Sequence, residues 1–385
     1  MAIFDGMDTE LLIVGQGICG TFMSWWLERA GVPHIVIDEM RPHTASRAAA
    51  GLINPVTGRR IVTTWMIDEL LPFAFRAYGG MAEAVGSSFL KPVSVIDFFP
   101  TAQMRVAFVE RCREDPSYLG LPGDEHDWDA SFRYELGYGM IAPCYLVDVV
   151  GLLGAARRRM LQRGGLLEER FEREELVVGG GSIRYKDIRA NRIIFCDGIE
   201  SSMSPYFSRL PFAPNKGEAL IVEVPGLAGA AGAGAMAEAA AEKGRKGASR
   251  EAGGSAETVF KKGISLVPWK DNLYWAGSSY EWSFTDDGPT EAFRKRTEAI
   301  LQDWLKLPFK IVDHFASVRP ATLERRPFVG FHPLYREIGI LNGMGTKGCS
   351  LAPYFAHQLV QHITEGRPLQ GDVDVRRFSK VLSRK

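Results

Sequence analysis

The feature that most constrains this chain is a glycine pattern set between two apolar runs near the N-terminus. Residues 11–14 (Leu-Leu-Ile-Val) are typical of a strand buried on both faces. Glycine follows at positions 15, 17 and 20, an apolar segment then predicts a helix to residue 30, and residues 34–38 predict a second strand that ends in an acid. This order of strand, turn, helix, strand and acid is the fingerprint of a dinucleotide-binding βαβ unit.

Each position in the fingerprint has a physical role. Gly15 permits a tight turn, Gly17 lets the backbone approach a pyrophosphate, and Gly20 lets the helix pack close to the strand. The helix N-terminus offers free N–H groups and a positive dipole end to the phosphates. Asp38 accepts hydrogen bonds from ribose hydroxyls, and its charge disfavours a 2′-phosphate. We therefore predict cofactor contacts from Gly15, Gln16, Gly17, Ile18, Cys19, Gly20, Asp38 and Glu39.

Residues 46–54 (Ser-Arg-Ala-Ala-Ala-Gly-Leu-Ile-Asn) favour FAD over NAD as the dinucleotide. The segment is small and contains glycine, so its backbone could lie against a flat ring system. The alternative is a plain helix with a C-terminal glycine. We predict cofactor contacts from Ser46, Ala50, Gly51 and Leu52.

Composition excludes several classes of protein. The 385 residues contain 46 Lys plus Arg and 46 Asp plus Glu, so the zero formal charge gives no electrostatic reason to expect nucleic-acid binding. The five cysteines are far apart, which indicates neither a metal site nor disulfides and predicts a cytoplasmic protein. The longest uncharged run, residues 11–27, contains three glycines and follows acidic residues, so we expect no membrane span.

Beyond the fingerprint, the sequence resembles the D-amino-acid oxidase-like superfamily of FAD-dependent oxidoreductases, which includes glycine oxidase and sarcosine oxidase. The matching blocks occur in family order along nearly the whole chain. They are a helix with Asp148 as its N-cap and a strand over residues 166–171, a strand that ends at residues 196–198, an Arg-Pro segment over residues 317–322, and a glycine-rich turn over residues 343–348 followed by a helix over residues 351–364.

The resemblance implies further cofactor contacts and two departures from the family pattern. Met344 stands where many members carry histidine, and Cys196 stands where a small residue is usual. Lys347 is either a positive charge near the flavin or a solvated lysine. Val318 occupies the region where sarcosine-oxidase-like members carry a flavin-linked cysteine, so we expect non-covalent FAD. The additional contacts implied are Phe171, Cys196, Asp197, Gly198, Arg319, Gly343, Gly345, Thr346, Lys347 and Gly348.

The family organisation implies an α/β fold with a discontinuous Rossmann-type FAD-binding domain and an interleaved, mainly antiparallel substrate domain. The FAD-binding domain would comprise residues 1–80, 140–215 and 320–385, and the substrate domain residues 81–139 and 216–319. Within the latter, we predict a strand over 216–224, its neighbour over 258–267, a third over 272–276 and a helix over 290–305. Gly and Ala supply 20 of the 33 residues from 225 to 257, which predicts a mobile loop at a hairpin tip, with an active-site lid as the alternative.

The resemblance implies oxidation of a C–N bond in a small amine or amino acid by hydride transfer to flavin N5. Arg319 would hold the substrate carboxylate in its guanidinium fork; the alternative is a structural arginine paired with an acid. Tyr280 and Trp282 would either shape the pocket or pack elsewhere. Residues 263–265 lack the tyrosine of glycine-oxidase-like members, so the pocket is not a copy of theirs.

Other functions stay open at this point. The same fold serves flavin dehydrogenases of 2-hydroxy acids or polyol phosphates, and it also occurs in proteins that bind flavin without catalysis. A related domain acts in a tRNA-modifying oxidase, but the chain shows no basic extension. The sequence does not separate an oxidase from a dehydrogenase or fix the oligomeric state.

Overall fold

The computed structural model describes residues 7–122, 128–227 and 257–384. The apolar segment after the glycine turn forms the first helix, and Gly31, in the left-handed region, follows its end. The helices are α1 (Ile18–Arg29), α2 (Ile67–Val85), α3 (Ala102–Glu114), α4 (Val149–Gln162), α5 (Glu291–Trp304), α6 (Gly348–Glu365) and α7 (Ser379–Leu382).

The strands are β1 (Met7–Val14), β2 (His34–Ile37), β3 (Leu52–Ile53), β4 (Val56–Thr57), β5 (Val62–Thr63), β6 (Leu90–Phe98), β7 (Leu119–Gly120), β8 (Tyr138–Val147), β9 (Leu166–Leu167), β10 (Leu176–Gly179), β11 (Ser182–Tyr185), β12 (Ile188–Phe195), β13 (Asn215–Glu223), β14 (Glu257–Lys262), β15 (Ile264–Lys270), β16 (Leu273–Gly277), β17 (Lys310–Arg319), β18 (Phe328–Phe331) and β19 (Ile338–Asn342).

The first sheet is mainly parallel and carries the glycine fingerprint. Its strand order is β10-β11-β12-β1-β2-β9, and β19 joins it by pairing with β12 and β18. Strand β1 lies in the middle and pairs in parallel with β2 and β12. A central parallel strand is covered on both faces, which explains why Leu12 and Ile13 are fully buried. This is the Rossmann-type arrangement that the sequence predicts.

Helices α1 and α6 pack against each other beside this sheet. The indole Nε1 of Trp26 in α1 donates to the carbonyl oxygen of Pro353 in α6 at 2.9 Å. Phe22 and Phe355 are fully buried in the same core cluster. The first and last helices thus fix the N-terminal turn and the C-terminal turn of the chain side by side.

The second sheet is mainly antiparallel and has the order β17-β13-β16-β15-β14-β6-β8-β3, with β7 beside β8. One face carries an aromatic core that includes Phe98, Phe132 and Trp304, covered by α5. The opposite face carries Val95, Val267 and other aliphatic residues. Since side chains alternate along a strand, each strand contributes to both faces.

Two predicted strands differ from the structure. Residues 258–267, predicted as one strand, form two antiparallel strands, β14 and β15, because Gly263 turns the chain at φ +77°. Neither of them is the neighbour of β13 that the sequence predicts, since β13 pairs with β16 and β17. The strand predicted over residues 166–171 ends at Leu167. The next two residues are charged and form ion pairs, Glu168 with Arg157 and Glu169 with Lys186.

The division into two domains stays a prediction, and the mainly parallel and mainly antiparallel sheets correspond in kind to the two predicted domains. The predicted boundary at residue 140 falls inside β8, a strand of the antiparallel sheet, and β3 also belongs to that sheet. The predicted mobile loop over residues 225–257 lies almost wholly outside the described residues. Within the described ranges, no helix combines the length and apolarity that a membrane crossing requires.

Candidate active site

A large cavity extends from the glycine turn of the parallel sheet to the aliphatic face of the antiparallel sheet. Its volume is about 2050 Å³. Pockets for drug-sized ligands measure roughly 300–1,000 Å³, so the space suits a dinucleotide together with a second small molecule.

The glycine turn forms one wall of the cavity, and each glycine meets a different steric demand. Gly15 has φ +94°, and a Cβ there would lie 2.7 Å from the carbonyl oxygen of Cys196. A Cβ on Gly20 would lie 1.8 Å from the carbonyl oxygen of Gly15, so only glycine lets α1 pack this close to β1. Gly17 is the N-cap of α1 and has no side chain to cap it, and the first turn holds no acid. The N-terminus of α1 thus fits the phosphates of a dinucleotide.

Asp38 lies at the end of β2, where the predicted ribose contact belongs. Its Oδ2 accepts from the backbone N–H of Gln16 and its Oδ1 from that of Met40, both at 2.8 Å. Arg157 of α4 donates to the same Oδ1 at 2.8 Å and also pairs with Glu168. These donors fix the carboxylate beside the turn.

Residues after β12 form the wall next to the turn. Asp197 accepts from the hydroxyl of Ser201 and from Nδ2 of Asn342, the latter at 3.4 Å. Burial raises the pKa of Asp197 to about 7, because desolvation penalises the charged carboxylate. Phe171 also lines this wall, and its ring stacks on that of Tyr185 with the centroids 4.9 Å apart.

The C-terminal glycine-rich turn lies opposite, where α6 begins at Gly348. Lys347 is half-buried rather than solvated, and its Nζ donates to Oγ1 of Thr64 at 3.3 Å. Burial lowers the pKa of Lys347, and the nearby charges of Arg325 and Arg326 lower it further. A positive charge and the N-terminus of α6 therefore meet at one point on the cavity wall.

Arg319 ends β17 and enters the cavity from the antiparallel sheet. Its Nη1 donates to Oδ1 of Asn215 at 2.7 Å and to the carbonyl oxygen of Ser279 at 3.2 Å. The guanidinium lies over Gly217, where a Cβ would approach Nη2 to 1.8 Å, and 4.8 Å from the ring centroid of Tyr280. Among the described residues, no carboxylate lies within salt-bridge distance of it, which argues against the structural ion pair. Burial lowers its pKa.

The aliphatic face of the antiparallel sheet forms the floor. Val267 and Trp275 are buried there, and the indole Nε1 of Trp275 donates to the carbonyl oxygen of Ala48 at 3.1 Å. This hydrogen bond ties the small-residue segment 46–54 to the floor. Tyr280 lines the cavity, whereas Trp282 does not and is exposed.

The cavity brings together most of the predicted site residues. Three do not line it: Gln16 is buried and bonded to the carbonyl oxygen of Leu153, while Gly20 and Gly343 shape the turns behind the wall. The predicted residues that line it are Gly15, Gly17, Ile18, Cys19, Asp38, Glu39, Ser46, Ala50, Gly51, Leu52, Phe171, Cys196, Asp197, Gly198, Arg319, Gly345, Thr346, Lys347 and Gly348.

Sequence reasoning missed Arg157 and Trp275. Arg157 follows Leu153 by four positions and precedes Met160 by three, so a charged residue on the apolar side of α4 was a detectable signal. Trp275 had no such signal, because nothing in a strand pattern shows that an indole will bond a distant carbonyl. Within the described parts of the chain, no group of His, Cys, Asp and Glu is arranged to hold a metal ion.

Known proteins are similar to this chain over nearly its whole length. A curated relative, glycine oxidase from Pseudomonas aeruginosa, is 22% identical over 391 residues, which cover 94% of this chain and 97% of that enzyme. Glycine oxidase from Geobacillus kaustophilus superposes with a TM-score of 0.73 at 17% identity, covering 98% of this chain and 99% of that one. Iminodiacetate oxidase from Chelativorans sp. BNC1 superposes with a TM-score of 0.69 at 21% identity, covering 96% of this chain and 98% of that one.

The family comparison agrees with the geometry. The model of the DAO family, described as FAD dependent oxidoreductase, matches residues 10–362. That range includes the glycine turn, the turn before α6 and Arg319. The chain therefore belongs to the FAD-dependent oxidoreductases of the DAO family, and FAD is its cofactor.

Proposed function

We propose that this protein oxidises the C–N bond of a small amine or amino acid that carries a carboxylate. The observation that carries the proposal is Arg319, a partly buried guanidinium in the cavity with no carboxylate partner among the described residues. Burying a cation without a counter-ion is costly, and a substrate carboxylate would remove that cost. The relatives named for glycine and for iminodiacetate support this class, since both names denote amines with a carboxylate.

FAD, once bound, supplies a hydride acceptor at N5. Arg319 would bind the carboxylate, and Asn215 would keep the guanidinium in place through its 2.7 Å hydrogen bond. The apolar side chains of Val267 and Trp275 would exclude water from the floor. Lys347 and the N-terminus of α6 would stabilise negative charge that develops on the reduced cofactor.

We further propose that the cofactor is held non-covalently by the residues that line the cavity, and that the protein works in the cytoplasm. The five cysteines are free, which suits a reducing compartment.

Anaerobic mixing of the FAD-loaded protein with amino, N-methylamino and 2-hydroxy acids tests the proposal through the flavin absorbance. We expect bleaching by one or more of the amino or N-methylamino acids and not by their hydroxy analogues. Bleaching by hydroxy acids alone would instead assign the protein to 2-hydroxy-acid dehydrogenation. A flavin that no candidate bleaches would support flavin binding without catalysis.

A further inference from the structure

Gly217 leaves a gap in the cavity face of β13, and the guanidinium of Arg319 fills it. Arg319 of β17 pairs with Asn215 of β13, two positions before Gly217. A Cβ on Gly217 would lie 1.8 Å from Nη2 of Arg319, 2.1 Å from Cζ and 2.4 Å from Nη1. These similar distances show that one face of the guanidinium lies on the backbone of Gly217, in space that a side chain would otherwise occupy.

Tyr280 reaches the same gap from the other side of β13. The chain that follows β16 pairs with β13 at two points. Glu281 and Lys216 exchange backbone hydrogen bonds of 2.9 and 3.0 Å, and Ser279 donates its N–H to the carbonyl oxygen of Glu218 at 3.2 Å. Tyr280 lies between these bonded residues and therefore stands directly opposite the gap. Residues that face each other in this way across an antiparallel pair carry their side chains on one face.

Glu218 fixes both ends of the segment that carries Tyr280. At one end, the backbone N–H of Glu218 donates to Oγ of Ser279 at 2.9 Å. At the other end, its fully buried carboxylate accepts from the backbone N–H of Thr290 at 2.6 Å and from the Thr290 hydroxyl at 2.9 Å. Residues 279–290 thus form a loop attached twice to one residue of β13, which holds the backbone of Tyr280 in place.

The ring of Tyr280 covers part of the Arg319 guanidinium at the rim of the cavity. Cζ of Arg319 lies over the ring, 4.8 Å from its centroid. Tyr280 lines the cavity and is also 59% exposed, so the ring stands where the cavity meets solvent. A cation over an aromatic face is attracted by the ring quadrupole. The ring also keeps water from this side of the cation, which strengthens the attraction of the cation for an anion.

The guanidinium of Arg319 has one edge left for a ligand. Nη1 uses both of its N–H groups, donating to Oδ1 of Asn215 at 2.7 Å and to the carbonyl oxygen of Ser279 at 3.2 Å. Within the described ranges, no hydrogen bond of the protein uses Nε or Nη2. The N–H groups of that edge lie side by side and match the two oxygens of a carboxylate.

We propose that Tyr280 is a positioning residue of the carboxylate site, whose ring, opposite Gly217, holds Arg319 so that its Nε–Nη2 edge meets the carboxylate of the ligand. This inference rests on the proposed function, because it takes Arg319 as the residue that binds the carboxylate. The aromatic ring does the positioning, and the phenol hydroxyl is not required for it.

Binding of propionate to the FAD-loaded protein, followed through the flavin absorbance, tests the role of Tyr280. Propionamide is the uncharged ligand of the same shape. In Tyr280→Leu, the dissociation constant of propionate should rise about fivefold, because the cation loses its aromatic contact. The dissociation constants of propionamide and FAD should not change. Tyr280→Phe keeps the ring and should bind propionate as the parent does.

Trp282→Leu is the matched control, because Trp282 is an exposed aromatic residue of the same loop that does not line the cavity. It should bind propionate as the parent does. A Tyr280→Leu variant with unchanged propionate affinity would overturn the inference. So would an equal loss in Tyr280→Phe or Trp282→Leu, or a loss of FAD affinity by the same factor. Failure of the proposed function would look different and would overturn both: the parent would bind propionate no more tightly than propionamide, and Arg319→Lys would change neither.

Discussion

Asn215 Oδ1 accepts a 2.7 Å hydrogen bond from Nη1 of Arg319, across the paired strands β13 and β17. A neutral amide thus orients this guanidinium, whereas an aspartate or glutamate in the same place would also neutralise its charge. The arrangement leaves the cation free for a ligand while fixing its direction. It is the feature that links the antiparallel sheet to the proposed binding of the substrate carboxylate.

Arg319→Lys should weaken the binding of carboxylate ligands by about tenfold or more, because an ammonium cannot meet both carboxylate oxygens as a guanidinium does. FAD affinity should change little. Titration with a carboxylate ligand, followed through the flavin absorbance, gives the dissociation constant of that ligand. Dialysis against FAD gives the dissociation constant of the cofactor. Equal losses in both would contradict a role in substrate binding.

Gly20→Ala should destabilise the fold by about 3 kcal/mol, since the added Cβ would lie 1.8 Å from the carbonyl oxygen of Gly15 and force α1 away from β1. FAD binding should be lost with it. Gly154→Ala is the control, because a Cβ there meets its nearest atom, Nη1 of Arg158, at 3.6 Å. That variant should be as stable as the parent or slightly more so. Denaturant unfolding measures both, and a stable Gly20→Ala would show that the close approach is dispensable.

Arg157→Leu should cost about 3 kcal/mol and reduce FAD affinity, because it leaves the partly buried carboxylate of Asp38 without its cationic partner. Arg158→Leu makes the same chemical change one residue further along α4, at an exposed position, and should leave both quantities unaltered. Unfolding free energies and FAD dissociation constants compare the two. Identical behaviour of the two variants would show that Arg157 does not support Asp38.

Asp197 should make the protein less stable as the pH rises from about 4 towards 7. Its folded pKa of about 7 lies above the usual 3.8 of an aspartate side chain, so the folded state binds more protons in this window and loses stability with rising pH. Asp197→Asn removes this titration and should gain stability relative to the parent across the window. Unfolding free energies measured from pH 4 to 8 test this. Parallel curves for parent and variant would contradict it.

Local rules predicted the dinucleotide end of the molecule well. Gly20 does what its spacing implies, because its steric constraint acts within the turn itself, against the carbonyl oxygen of Gly15. Gly15 has the positive φ that a tight turn requires, although the group a Cβ there would meet, the carbonyl oxygen of Cys196, is distant in sequence. The strands of the antiparallel sheet and their neighbours were harder to predict from the sequence. The sequence pattern predicts Gly263 as an interior residue of one strand, although it turns the chain between two. Strand neighbours also depend on contacts that sequence order does not encode.

The substrate end shows the same limit. Resemblance pointed to Arg319, but its partner Asn215 lies more than one hundred residues away along the chain.

The proposed hydride transfer converts the C–N bond of the substrate into an imine, which water then hydrolyses to a carbonyl compound and free ammonium or amine. The amount of ammonium or amine released in a single anaerobic turnover tests this reaction most directly. The FAD-loaded protein would be mixed with the best amino acid from the panel, and flavin bleaching and free ammonium or amine would be measured together. We predict one equivalent of ammonium or amine for each flavin reduced. Complete flavin reduction without release of either would contradict the account.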